Sequence, residues 1–120
     1  MLNKCLTEFE EAKIFWEWSQ YHYIAKNYLF SIPNGGYRNK IEARNLRITG
    51  VKSGVSDYML AYPSRNKNGL FIELKRMDKN ISRLTKEQAS WLDQCIRVGY
   101  AATVAYGAAE AIKAVEEYLK

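Results

Sequence analysis

Three ionisable side chains in the middle of the chain, Asp57, Glu73 and Lys75, have types and spacing suited to chemistry. They sit in S-G-V-S-D-Y-M-L-A-Y-P-S-R-N-K-N-G-L-F-I-E-L-K, residues 53–75. Two short apolar runs, 58–62 and 70–74, flank a turn-rich segment, 63–69, which predicts a β-hairpin with a longer loop. Residues two apart on a strand share a face, so Glu73 and Lys75 project together while Ile72 and Leu74 project the other way. Placing Tyr62 opposite Leu70 sets Asp57 opposite Lys75 and diagonal to Glu73. All three groups then point into one small volume.

Two carboxylates from neighbouring strands supply hard oxygen ligands for Mg²⁺ or Mn²⁺. Such an ion polarises a phosphate and lowers the pKa of bound water. A lysine beside it can orient the attacking water or stabilise charge building on the phosphate oxygens. The competing explanation is a solvated ion-paired patch. The apolar runs on either side favour a central strand over an edge, and so favour the catalytic explanation.

The elements that must position these groups are legible on both sides. Thr7 and Glu10 form a capping-box pattern, and Glu8, Glu10 and Glu11 load the first turn of a helix expected to run to about Lys26. That helix is rich in rings: Phe9, Phe15, Trp16, Trp18, Tyr21, Tyr23 and, just beyond, Tyr28. Trp16 and Trp18 lie about 200° apart around the axis and cannot share one narrow stripe. One face is expected to pack on the sheet and a second to serve a partner, which points to a homodimer through this aromatic helix.

Residues 29–33 read as a short extended segment and Asn34-Gly35-Gly36 as a turn. Residues 38–48 suit an amphipathic helix with Ile41 and Leu46 inward. Gly50 and Gly54 bracket the approach to Asp57, where a bare backbone would let a substrate come close. After the hairpin a polar, basic connection begins at Arg76. Thr85 and Gln88 repeat the capping box at a second helix, with Trp91, Leu92, Cys95, Ile96 and Val98 on its apolar side and Gly99 at its end. A strand over 102–106 and a helix over 108–119 complete the chain. The expected fold class is α/β, a mixed β-sheet flanked by helices in the order α, α, β-hairpin, α, β, α.

With 120 residues the chain is expected to form a single domain, residues 1–120. Its apolar and charged content excludes disorder, and no run is long enough for a bilayer. No secretory signal pattern is present, and Cys5 and Cys95 have no zinc-ligand spacing, so they read as reduced thiols of a cytoplasmic protein. The formal net charge is +5. Arg38, Lys40, Arg44, Arg47 and Lys52, against Glu42 alone, concentrate it just before Asp57. Such a stripe suits a nucleic-acid backbone.

The sequence also resembles the PD-(D/E)XK nuclease superfamily, in Ser56-Asp57 and Glu73-Leu74-Lys75. It is most similar to the VRR-NUC family, through an ordered set of segments covering nearly the whole chain. These are Thr7-Glu8, Ile32-Pro33-Asn34-Gly35-Gly36, Gly50-Val51-Lys52-Ser53-Gly54-Val55-Ser56-Asp57, Phe71-Ile72-Glu73-Leu74-Lys75-Arg76, Leu84-Thr85-Lys86-Glu87-Gln88 with Trp91, and Gly99-Tyr100. Ser56 stands where the family usually has proline.

The resemblance implies a restriction-endonuclease-like fold and divalent-metal-dependent hydrolysis of DNA phosphodiesters, with Mg²⁺ or Mn²⁺ as cofactor. Asp57, Glu73 and the Leu74 carbonyl would hold the metal. An acid of the first helix would complete the site, Glu8 first and Glu11 second. Lys75 would act on the water, and Gln88 would stand near the site unless it serves only as a cap. Arg38, Lys40, Arg44, Arg47, Lys52 and Arg76 would contact DNA. Single-domain members resemble phage or bacterial dimers that act on branched DNA such as Holliday junctions. The alternatives are a catalytically silent DNA-binding module, or a nuclease for flaps, nicked duplex or RNA.

Overall fold

The computed structural model describes residues 5–33 and 39–120. The expected turn at Asn34-Gly35-Gly36, and Arg38, lie outside the described residues. The elements run α1 (Glu8–Ser19), α2 (Ala25–Tyr28), β1 (Leu29–Ser31), α3 (Lys40–Ile48), β2 (Tyr58–Leu60), β3 (Leu70–Lys75), α4 (Lys86–Arg97), β4 (Ala101–Tyr106) and α5 (Ala108–Tyr118). The strands form one sheet in the order β1-β2-β3-β4, antiparallel except for the parallel β3–β4 pair.

All six residues of β3 are buried, as a central strand covered on both faces requires. Leu70, Ile72 and Leu74 join Tyr58, Leu60 and Leu29 in the main core with Phe15 of α1 and Ala111 and Val115 of α5. Phe15 meets the Tyr58 ring edge-on at 5.0 Å. Phe71 points to the opposite face, where the rings of Trp91 and Tyr100 pack against it at 5.4 and 5.3 Å. Thus α1 and α5 cover one face, and α4 covers the face that also carries Glu73 and Lys75.

Local chemistry sets the helix boundaries. Thr7 and Thr85 each accept from the amide three residues on, and Glu10 and Gln88 reach back to the cap amides, so both capping boxes form. The aromatic N-terminal helix ends earlier than expected. It stops at Ser19 rather than near Lys26, and His22 Nδ1 then accepts the amides of Ile24 and Ala25, turning the chain into the separate α2. Residues 38–48 also depart from expectation. The helix forms over Lys40–Ile48 on an Asn39 cap, but Ile41 is 69% exposed and only Ala43 and Leu46 are half-buried. On α4, Leu92 and Cys95 are buried while Ile96 and the C-cap residue Val98 face solvent.

The hairpin register differs from the expected one by two residues. Leu70 pairs with Leu60 rather than Tyr62, and Ile72 with Tyr58. At the tip, Ser64 and Lys67 exchange both backbone hydrogen bonds around Arg65 and Asn66, which hold φ of 55° and 63°. That is a tight two-residue turn inside the expected longer loop. A slip of two residues leaves every side chain on its original face, so the apolar pattern does not discriminate between the registers.

Candidate active site at one end of the central strands

The corrected register brings Asp57 level with Glu73, not Lys75. Asp57 lies one residue before β2, and its carbonyl still accepts the Ile32 amide at 2.7 Å from the chain following β1. Its side chain turns toward β3, where Oδ2 accepts the Leu74 amide at 2.8 Å. On β3 the Lys75 carbonyl accepts from Gly107 at 2.8 Å on the β4 side. Leu74 therefore presents its amide and carbonyl toward β2, by the alternation of a strand. The ladder would next pair Leu74 with Ser56, but β2 has begun only at Tyr58, and the Asp57 carboxylate takes the amide instead. The Leu74 carbonyl is left on the same edge as the carboxylates.

Glu73 is almost fully buried, with its Oε2 accepting from Gln88 Nε2 at 3.1 Å and lying 3.8 Å from Lys75 Nζ. Burial first, then the Asp57 charge and a hydrogen bond to that carboxyl, push the Glu73 pKa up to about 9, and the Lys75 ammonium offsets only part of this. Glu8, at the first position of α1, is also shifted upward, by partial burial and by Asp57. One carboxylate oxygen from each of Glu8, Asp57 and Glu73 lies within 4.8 Å of the others. Burial and the nearby Asp57 charge thus disfavour ionisation of Glu73 and Glu8, and a bound cation would offset that cost. The donor set, hard carboxylate oxygens flanked by one ammonium, fits a hard divalent cation.

Glu8 and Glu11, the two candidates on α1, separate cleanly. Glu11 is 3% exposed and its Oε1 accepts the Ala108 amide at 3.0 Å, at the start of α5. It ties helix to helix and lies outside the acidic cluster. A Cβ on Gly107 would fall 2.7 Å from Met77 Cγ and 3.2 Å from Glu11 Oε2, and its φ of 96° is one that L side chains avoid. Glycine at that corner lets α1 approach α5 closely enough for the tie to form.

Arg76 is the second anchor of α1. Its guanidinium donates to the carbonyls of Leu6 at 2.8 Å and Cys5 at 3.0 Å. Two of its N–H donors thus hold the chain entering α1, while the side chain stays half-exposed. The sequence gives no signal for a contact between residues so far apart. The expectation for Gly54 is corrected. With φ of 89° it packs against Glu87, whose backbone would lie 2.8 Å from an added Cβ, so the missing side chain makes room for α4 rather than for a substrate. Gly50 lies just past the end of α3, with nothing within 4 Å of the Cβ position.

Lys40, Arg44, Arg47 and Lys52 are all exposed, on α3 and the segment after it. Gln88 does both things proposed for it, answering the Thr85 amide through Oε1 at 2.9 Å while its Nε2 holds Glu73. The structure thus places Asp57, Glu73, Lys75, Gln88 and Glu8 at one end of the sheet.

The VRR-NUC domain model matches residues 3–109. The chain belongs to the VRR-NUC family. A solved structure described as a VRR_NUC domain protein is similar to it at TM-score 0.80 and 27% identity, covering 96% of this chain and 89% of the other. No curated protein matches. This VRR-NUC chain is therefore a nuclease-type domain with a restriction-endonuclease-like fold. Among the described residues, no helix is long and apolar enough to cross a membrane.

Proposed function

We propose that this VRR-NUC chain is a divalent-metal-dependent DNA endonuclease, structure-selective and acting as a cytoplasmic homodimer on branched DNA such as Holliday junctions. The observation that carries the reading is the convergence of Glu8, Asp57 and Glu73 within 4.8 Å. These three side chains, with the Leu74 carbonyl, would hold Mg²⁺ or Mn²⁺. Such an ion, when bound, polarises the scissile phosphate and makes a bound water more acidic.

The chain's own residues do the rest. Lys75 holds its ammonium beside Glu73, where it can orient the attacking water or offset charge developing on the phosphate oxygens. Gln88 fixes the Glu73 carboxyl through its amide hydrogen, an outer-shell role of the kind that orients metal ligands. Lys40, Arg44, Arg47 and Lys52 supply positive charge for the DNA backbone, together with Arg38 by sequence position.

Dimerisation is supported by rings that the fold leaves outside. Phe9, Trp16, Tyr21 and Tyr23 are exposed while Phe15 is buried. A two-fold dimer would offer two identical sites to two symmetry-related strands of a junction.

The test is cleavage of labelled four-way junction, flap, linear duplex and single-stranded DNA in Mg²⁺, Mn²⁺ or EDTA, with sedimentation mass measured in parallel. The wild type should cut the junction only with metal and sediment as a dimer. Asp57→Asn and Lys75→Ala should each lose about 10³-fold or more, equivalent to several kcal/mol of transition-state stabilisation. DNA binding without metal-dependent cutting would reject the enzyme reading, and a monomer at micromolar concentration would reject the dimer.

A further inference from the structure

The helix α3 buries none of its nine residues and takes no part in the principal packing between described elements. Its ends are secured locally. The Asn39 side chain accepts the Glu42 amide at 2.8 Å, and past the C-terminus Gly50 and Val51 donate to the Arg47 and Leu46 carbonyls at 3.3 and 2.8 Å. Caps fix where such a helix begins and ends, but packing usually supplies most of a short helix's stability. Here the packing is slight, and the best apolar groups face away from the protein.

Ile41 and Ile48 are 69% and 72% exposed. Seven residues apart, they lie two turns along the axis and about 20° from one another around it. Arg44, Lys40 and Arg47 line one flank of that row, and Asn45 and Glu42 line the other. Ala43 and Leu46 occupy the opposite, half-buried side. The outward face is therefore two branched aliphatic side chains with three cations along one side and a single acid, Glu42, on the other. A second copy of this helix would bring like charges together. A nucleic-acid strand offers phosphates to the cations and, where stacking is broken, an apolar base face to the isoleucines.

We propose that Ile41 and Ile48 form an aliphatic wedge that packs against unstacked bases at a DNA branch point and gives the enzyme its preference for branched over continuous duplex. Apolar side chains that enter a base step offset the unstacking cost by their own contact, and that cost is lowest where stacking is already interrupted. Nine residue steps separate Ile48 from Asp57, so Ile48 lies within at most about 32 Å of the acidic site, with Ile41 about 10 Å further along the helix. One DNA arm can thus engage both the wedge and the site. The inference rests on the DNA-nuclease reading above.

The experiment compares the wild type with I41Q/I48Q and with R44Q/R47Q, in Ca²⁺ to limit cutting. Affinities for a four-way junction and for a linear duplex are read by fluorescence anisotropy across a salt series, with 2-aminopurine at the branch point reporting unstacking. The wild type should favour the junction and raise the 2-aminopurine signal. I41Q/I48Q should lower the junction-to-duplex affinity ratio about tenfold and abolish that rise, while duplex affinity and the salt slope stay unchanged. R44Q/R47Q should weaken both substrates and reduce the salt slope by about 2.

The proposal is overturned if I41Q/I48Q keeps the wild-type ratio and signal, if the wild type shows no junction preference, or if I41Q/I48Q changes the sedimentation mass, which would make this face a protein interface. Wild-type protein that binds neither DNA would sink the nuclease reading and the wedge together. Protein that binds and cuts but ignores the isoleucines would sink the wedge alone.

Discussion

Thr7 caps α1 and Thr85 caps α4, and each is answered three residues later by a side chain that reaches back to its amide: Glu10 in one case, Gln88 in the other. At α1 the answering group is a carboxylate, which when ionised can only accept hydrogen bonds. At α4 it is an amide, with an acceptor at one end and two donors at the other. Gln88 therefore closes its capping box with Oε1 and donates to the buried Glu73 with Nε2. A structural explanation of a motif does not exhaust it when the residue has a second polar end. The start of α1 divides its labour differently, between residues: Glu8 joins the acidic cluster and Glu11 anchors the helix to α5.

The sharpest way to break this comparison is Gln88→Glu. The new side chain can still cap α4, but it sets an acceptor against Glu73. Cleavage should fall by about 10²-fold with little change in melting temperature, whereas Glu10→Gln should leave cleavage within about twofold. Parallel kinetics and thermal melts decide it, and equal losses in the two variants would mean that Gln88 acts only through the cap.

Glu8 and Glu11 should separate next. Glu8→Ala should weaken metal binding by about tenfold, measured by calorimetry, and alter stability by no more than about 0.5 kcal/mol. Glu11→Ala leaves the buried Ala108 amide without its acceptor. It should cost about 1–3 kcal/mol in urea unfolding while keeping metal affinity near wild type, unless α1 itself detaches.

The Glu73 carboxyl makes the metal-free protein pH-sensitive. Its ordinary value of 4.5 is raised to about 9 in the folded state, so folding favours its protonated form. That contribution is complete below about pH 4.5 and is lost as pH rises through about 9. Between pH 5 and 9 the melting temperature of metal-free protein should fall by at least about 4 °C more than that of Glu73→Gln. Added Mg²⁺ or Mn²⁺ should reduce the fall. A profile as flat as that of Glu73→Gln would show that Glu73 ionises without penalty.

The smallest effects belong to the caps themselves. Thr7→Ala and Thr85→Ala should each destabilise by about 1 kcal/mol. Thr85→Ala should also slow cleavage modestly, because its loss frees the N-terminal turn that holds Gln88. No difference in cleavage between the two variants would confine the α4 cap to stability.

The sequence determined what short-range physics can encode. Capping boxes announced both helix starts, the alternation of 70–75 separated a core face from a polar one, and Asp57, Glu73 and Lys75 stood out as charges within an apolar hairpin. Residues 20–24 were harder, because His22 turning its ring onto the Ile24 and Ala25 amides competes with helix continuation only once the chain has bent.

Only the tertiary structure decided the hairpin register, since a two-residue slip preserves every inside–outside assignment. It also decided which α1 glutamate joins the acidic cluster, that Arg76 ties down the carbonyls of Cys5 and Leu6, and that Ile41 points outward. Each of these depends on which distant group arrives beside a side chain. Periodicity gives the direction of a residue around its own helix or strand, but it does not specify what stands opposite.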